Sequence, residues 1–330
     1  MKNLCGILSV IMFLYGCSDT INTPGDLIRG EKLQEINRIS LPQEASKMTS
    51  YGNYIYIASD DKINIIDISK PANPHLIGSF THPARIRNLS ISFPCLYIGD
   101  YSYIDIYDIT QPTSLVHKDS LRVIGYKRLV SRDSLIYLLD YTQTLMIIKV
   151  NNFLFEVLAE YKLVLDNLYE KYDKEKKILD LTLYLKDNYL YICGMENFLQ
   201  IDITNPFNIK KQLLGIKNRK PQSDIVIKKD HLYFIEELPP DMYLTGLKID
   251  SFNEVLSFRI ETSYNDKTVI YSQDKYIYIL NETGLQVIDI SDLKTVYEAG
   301  YSETPGVDFL LKSGYIYVIS DNNLITYKAL

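Results

Sequence analysis

Apolar and polar residues alternate along most of this chain, and the alternation comes in short runs: "YIYIA" from Tyr54, "CLYIG" from Cys95, "LIYLL" from Leu135, "YLYIC" from Tyr189, "HLYFI" from His231, "YIYIL" from Tyr276 and "YIYVI" from Tyr315. A period of two marks a strand with two unlike faces, and turn residues between the runs predict many short strands. Near the centre of each run stands a tyrosine between apolar neighbours: Tyr56, Tyr97, Tyr137, Tyr191, Tyr233, Tyr278 and Tyr317, spaced 41, 40, 54, 42, 45 and 39 residues apart. Repeats of that length are the signature of propeller blades, each a four-stranded sheet. Eight residues before each tyrosine an apolar residue recurs (Met48, Leu89, Leu129, Leu183, Ile225, Ile270, Phe309), and eleven after it four units place an aspartate: Asp67, Asp108, Asp202 and Asp289. The register therefore does not rest on tyrosine abundance alone.

Each unit reads as an inner strand, the tyrosine strand, a third strand such as "INIIDI" and an outer strand such as "HLIGSF" (75–80). After the third strand come Ser or Thr and then a proline, at Pro71, Pro112 and Pro206. A short polar side chain that bonds the backbone, followed by a residue without an N–H, predicts a tight strand-ending turn. The last unit lacks a fourth strand, whereas "KLQEINRISLP" (32–42) precedes the first inner strand and matches outer strands such as "EVLSFRIETS" (254–263). The sequence thus predicts an all-β fold, a seven-bladed β-propeller of four-stranded blades, with the ring closed by an N-terminal strand that completes the last blade.

These phrases resemble the LVIVD repeat family, whose units carry an apolar strand ending in Asp and then "I-S-x-P-x-x-P". Residues 54–80, with "INIIDISKPANPHLIGSF", follow the pattern closely; units two, four and six follow it in part, and units three, five and seven lack the Asp and Pro marks. The resemblance covers roughly residues 32–330 and implies a secreted or surface-anchored bacterial or archaeal propeller. It implies little about activity, because one fold hosts many functions.

The first residues change the picture. "MKNLCGILSVIMFLYGCSDT" places Lys2 before an apolar run from Leu4 to Tyr15, too short to span a bilayer and therefore read as a signal segment. Leu14, Gly16 and Cys17 resemble the bacterial lipobox, which implies cleavage before Cys17 and lipidation of its thiol; Tyr15 departs from the small or aliphatic residue usual there, and an ordinary secretory signal with a chance Cys is the alternative. The expected organisation is a lipoprotein signal peptide over 1–16, lipidated Cys17 and a flexible tether over 17–31, and the propeller over 32–330. It places a monomer in the bacterial cell envelope, outside the cytoplasm at the outer membrane or cell surface, held to the membrane through the lipid on Cys17.

Composition adds exclusions. After removal of 1–16 the balance is 34 basic against 41 acidic residues with no basic stripe, which argues against a nucleic-acid partner. Cys95 and Cys193 fall within apolar strands of different, non-neighbouring units and read as buried free thiols, so no disulfide is predicted. No tryptophan is present for a sialidase-type Asp box or a quinone site, and His75, His82, His117 and His231 show no pair at metal-ligand spacing. Beside a strand core, His231 reads as a packed structural residue. Acids in the turns between second and third strands ("SDDK" at 59, "GDYS" at 99) read as turn formers rather than calcium ligands. No metal, cofactor or catalytic residue is assigned.

One column faces the channel. Nine residues before each reference tyrosine stand Lys47, Asn88, Arg128, Thr182, Asp224, Val269 and Asp308, with bases on blades one and three and acids on five and seven. Lys47, Arg128, Asp224 and Asp308 are the candidate ligand-binding set, suited to a zwitterionic or sugar-like ligand; the alternative is that they pair with one another around a water-filled channel. The insertion at 166–177, "DNLYEKYDKEKK", is a further candidate contact loop. The reading that follows is a non-enzymatic binding module for a protein or glycan, against a metal-assisted hydrolase or lyase acting on a carbohydrate or small molecule in the channel.

Overall fold

The computed structural model describes residues 29–123, 125–140, 143–163, 182–193, 197–215, 224–238, 241–251, 253–260 and 268–330. The signal segment 1–16, Cys17, most of the expected tether, the 166–177 insertion and the side chain of Cys193 lie outside the described residues.

Seven sheets follow one another along the chain, each with four antiparallel strands that run in sequence order in blades one to six. Blade one shows the plan: Lys47–Tyr51, Tyr54–Ser59, Lys62–Asp67 and His75–Thr81, from the channel outward. The tyrosine strand and the third strand are buried on both faces, which is why they read as nearly continuous apolar runs, and the outer strand is exposed. Blade seven consists of Asp308–Lys312, Tyr315–Ser320 and Asn323–Lys328, and its fourth strand is Glu35–Ser40 from the other end of the chain. The closing strand even has a register shift, between Glu35 and Asn37, of the kind found between Ile65 and Ile66 in blade one and between Val287 and Ile288 in blade six. Such bulges add twist. The N-terminal strand is thus a regular member of the repeat.

Contact begins before the expected propeller boundary. Glu31–Lys32, the first of these in the expected tether, pair in parallel with blade six at Gly300 and Tyr301. Gly30 is obligatory there, because a Cβ would sit 2.4 Å from the Ala299 carbonyl carbon, and its N–H donates to buried Glu298 at 3.1 Å.

The core lies between blades rather than at one centre. At the closure seam Ile55, Ile57 and Ile66 of blade one pack on Tyr317, Ile319 and Leu324 of blade seven; between blades one and two, Tyr56 and Ile65 meet Leu96 and Tyr107. All seven reference tyrosines are buried and have phenol pKa values raised by desolvation, to about 12 for Tyr56, Tyr233, Tyr278 and Tyr317. The Tyr317 hydroxyl donates to the Pro71 carbonyl at 3.0 Å, so the exit turn of blade one also receives the preceding blade. Cys95 is a buried free thiol, as its strand context predicted.

The four repeated aspartates end their strands as turn formers: Asp67, Asp108, Asp202 and Asp289 each accept the N–H two residues on, from Ser69, Thr110, Thr204 and Ser291, at 2.6 to 2.9 Å. Those bonds help hold all four carboxyls below their ordinary pKa, and Asp289, bonded to Lys275 at 2.7 Å, reaches about 2 despite its burial.

Side chains at the far end of the inner strands link neighbouring blades at five of the seven junctions. Tyr51 stacks on Phe93 with centroids 4.4 Å apart, Ser92 donates to the Asp133 carbonyl at 2.5 Å, Arg132 to the Asp187 carbonyl, Lys186 to the Lys229 carbonyl at 3.1 Å, and Lys312 to Ser50 at 3.3 Å.

Deleting residues 1–40 strips the hydrogen-bonding partner from Asn323–Lys328 and uncovers the seam, so thermal unfolding should lose its single cooperative transition, whereas deleting 1–28 should preserve it. Scanning calorimetry of the two truncations checks this.

Candidate functional site

Lys47, Asn88, Arg128, Thr182, Val269 and Asp308 stand opposite Ala58, Gly99, Leu139, Cys193, Leu280 and Ile319. Each is eleven residues before its partner, so these residues occupy one level of the ring, and Asp224, two residues before the strand Val226–Lys228, continues it. The repeat geometry converts a column of the sequence into a ring at one mouth of the channel.

The structure brings Arg128 and Asp224 into an ion pair and sets Asp308 near Lys47 across the closure seam. Arg128 reaches past blade four, where the ring residue is the small Thr182, and its Nη2 lies 3.6 Å from Asp224 Oδ1; the two side chains are 32% and 39% exposed. Across the closure seam, Asp308 Oδ2 accepts the Met48 N–H at 2.8 Å and Oδ1 its neighbour Phe309 N–H at 3.0 Å, with Lys47 close enough to stabilise its charge. Asp308 is half-buried, and this desolvation pushes its carboxyl above the ordinary range, helped by repulsion from Asp224 and opposed by Lys47 and the two N–H donors. Bases therefore occupy one side of the ring and acids the other, and unlike charges meet where the two halves join. On the same face an open cleft of about 290 Å³ lies beside Lys47, lined by Gln43, Glu44, Ala45, Ser46, Asp60 and Arg85. Arg85 Nε is 3.3 Å from Asp60 Oδ1, and Gln43 Oε1 is buried without a hydrogen-bond partner.

A second constellation escaped the sequence, in which no histidines stood at ligand spacing. The outer strand of blade one ends beside blade two, and buried His82 meets Asp105 there: Nε2 lies 2.9 Å from Asp105 Oδ2 and Nδ1 2.9 Å from the Ala84 carbonyl. His117 Nε2 stands 3.1 Å from Asp105 Oδ1, and the Ser120 hydroxyl donates to that same oxygen. A nucleophilic triad needs serine to give its proton to histidine and histidine to be held by the acid through its other nitrogen. Here His117 Nε2 stands 3.0 Å from Ser120 Oγ but meets Asp105 through that same nitrogen, and Ser120 itself bonds the carboxylate, so the triad relay is not formed. His82 and Asp105 are a buried polar junction between blades, with exposed His117 and Ser120 at its rim. Strand pairing within blade two brings His117 and Ser120 to Asp105, and blade stacking adds His82. His231, expected to be packed and structural, is partly buried and held by Asp230, with Nδ1 2.9 Å from Oδ1.

The comparisons bear on the fold. The LVIVD repeat model matches residues 43–82 and 270–304, covering much of blades one and six. The chain is a β-propeller that carries LVIVD repeats. Solved structures similar to it include BamB from Moraxella catarrhalis, 9% identical with a TM-score of 0.58 over 90% of this chain and 97% of that one. The WD40 domain of Neurospora crassa Pan2 is 11% identical, with a TM-score of 0.63 over 92% and 97%. Saccharomyces cerevisiae Sqt1 is 7% identical, with a TM-score of 0.65 over 91% and 100%. Identities this low show a shared fold alone. Among curated proteins, no sequence matches the LVIVD propeller described here.

The His82 junction makes a signed prediction. Burial alone would lower the His82 pKa, but bonds to Asp105 and the Ala84 carbonyl outweigh it and raise the value above the ordinary 6.5. Its contribution to stability is therefore complete below that value and disappears as pH rises through the folded-state pKa. The denaturant midpoint of the native protein should fall between pH 6 and 9; in His82→Gln that decline should vanish, with stability about 2 kcal/mol lower near pH 6. Equal pH slopes in the two proteins would show that His82 is neutral in the fold.

Proposed function

We propose that this propeller is a non-enzymatic binding module of the bacterial envelope, tethered through lipid on Cys17, which presents the face bearing Lys47, Arg128, Asp224 and Asp308 to a protein or glycan. The observation that carries the reading is the set of two bases on one side and two acids on the other side of one channel mouth, next to an open polar cleft. An ion pair at 3.6 Å with both partners about one-third exposed contributes at most about 1 kcal/mol. A ligand carrying both charge signs, or many hydroxyls, can therefore replace the Arg128–Asp224 contact at little cost, while the ring that positions it stays rigid. The competing reading, a metal-assisted hydrolase or lyase, would need imidazole, thiolate or clustered carboxylate ligands at the reacting centre. The ring offers Lys, Asn, Arg, Thr, Val and two Asp, which suits recognition better than metal-assisted chemistry.

The test is differential scanning fluorimetry against neutral and zwitterionic glycans, because a ligand that binds the folded state raises its melting temperature. A rise of a few degrees in the native protein should be lost in Asp224→Asn/Asp308→Asn, and unchanged binding by that variant would remove the channel mouth from the reading. Since the Asp308 pKa is raised in the fold, its contribution is largest at low pH and is lost as pH rises, so Asp308→Asn alone should match or exceed native stability at pH 7. Anchoring is tested separately: Cys17→Ser should move the protein from the membrane pellet to the soluble fraction of the bacterial cell.

A further inference from the structure

The inner strands carry a second ring at their other end, four residues beyond the first and, at ~3.3 Å per residue, about 13 Å away along the channel. Its members pair with the first residue of each tyrosine strand, as Lys228 does with His231 and Lys312 with Tyr315. Four of them are cations, Arg132, Lys186, Lys228 and Lys312, on blades three, four, five and seven, and the other three are uncharged. The two rings therefore differ: one has both signs, the other only positive charge, with Asp133, Asp187, Asp230 and Asp274 in the adjoining turns.

The partners of these cations make the difference sharper. Arg132 and Lys186 donate to backbone carbonyls and Lys312 to a serine hydroxyl, all neutral acceptors. Arg132 Nε also lies 4.0 Å from Asp133, whose side chain is 89% exposed and well solvated. Lys228 has still less. Its Nζ is buried with no hydrogen-bond partner, and that burial depresses its pKa. The charged groups that act on it are Asp274, exposed on the adjoining turn, Lys229, and Asp289, which already bonds Lys275 at 2.7 Å. Burial likewise lowers the Lys312 pKa. An ammonium without a partner destabilises a fold, and methionine would fill the same volume without the charge. The position makes physical sense when an anion completes it.

We propose that this mouth of the channel binds an oxyanion, a phosphate or sulfate group on a small soluble ligand that enters end-on, with Lys228 as the central donor and Lys186 and Lys312 at the same level of the ring. The proposal does not depend on what binds at the opposite mouth.

Calorimetric melting of the full chain in inorganic pyrophosphate, against sodium chloride of equal ionic strength, tests it in the native protein, Lys228→Met, Lys228→Met/Lys312→Met and Lys294→Met. Saturating pyrophosphate should raise the native melting temperature by about 2–5 °C. Lys228→Met should lose most of that rise, the double variant all of it, and Lys294→Met, on an exposed outer turn, none. The ligand-free Lys228→Met protein should melt at or above the native temperature. No pyrophosphate-specific rise in the native protein would overturn the proposal. So would a rise lost in Lys294→Met but kept in Lys228→Met, or a Lys228→Met protein that melts lower and still responds in full. Sedimentation with phosphatidylglycerol vesicles in the absence of any pyrophosphate effect would assign the cations to a lipid surface and overturn it as well.

Discussion

The pairing of Glu35–Ser40 with Asn323–Lys328 is the constraint on which the rest of the molecule depends. Each blade buries its apolar faces only against its neighbours, so a row of seven with free ends would expose a full sheet face at each end. Joining the ends covers the last two faces with one seam, in which Ile55 and Ile57 meet Tyr317 and Ile319. Burying side chains of this size stabilises by about 1.5–3 kcal/mol each. The seam also sets a functional distance, because Asp308 of blade seven reaches the backbone of Met48 in blade one across it. The charged mouth exists only while the ring is closed.

A closed ring of similar blades repeats positions without repeating residues. Eleven-residue offsets place one side chain per blade at the same depth, and divergence among blades then decides what that level does. At one level, divergence has produced two bases and two acids; four residues further, it has left four cations, three with neutral acceptors and Lys228 with none. Both levels keep a charged group that burial disfavours, Asp308 at one and Lys228 at the other.

Much of this was legible in the chain. Alternation, the tyrosine spacing and the apolar column predict strand order and blade count, and "ISKPANP" predicts the exit turn, because those features are local and recur. The column of Lys47 and Asp308 was legible for the same reason, since register turns spacing into height. The all-positive ring was equally available four residues along and was missed because neutral partners leave no mark in sequence. Cross-blade contacts are the other kind of miss: His82 on Asp105 of the next blade, and Glu31–Lys32 on blade six, join residues that only the packing of blades makes adjacent. The anchor at Cys17 and the 166–177 insertion lie outside the described residues.

The buried tyrosine column has an optical consequence. Without tryptophan, the near-ultraviolet absorption and emission of this protein belong chiefly to its 28 tyrosines, of which at least one in every blade is sealed in the core with a raised phenol pKa. Exposed phenols ionise gradually near pH 10. The sealed ones gain a charge only when the blade interfaces part, and because the unfolded chain then binds fewer protons than the native one, alkali drives that parting. Phenolate colour thus becomes a built-in chromophoric report that the ring has come undone.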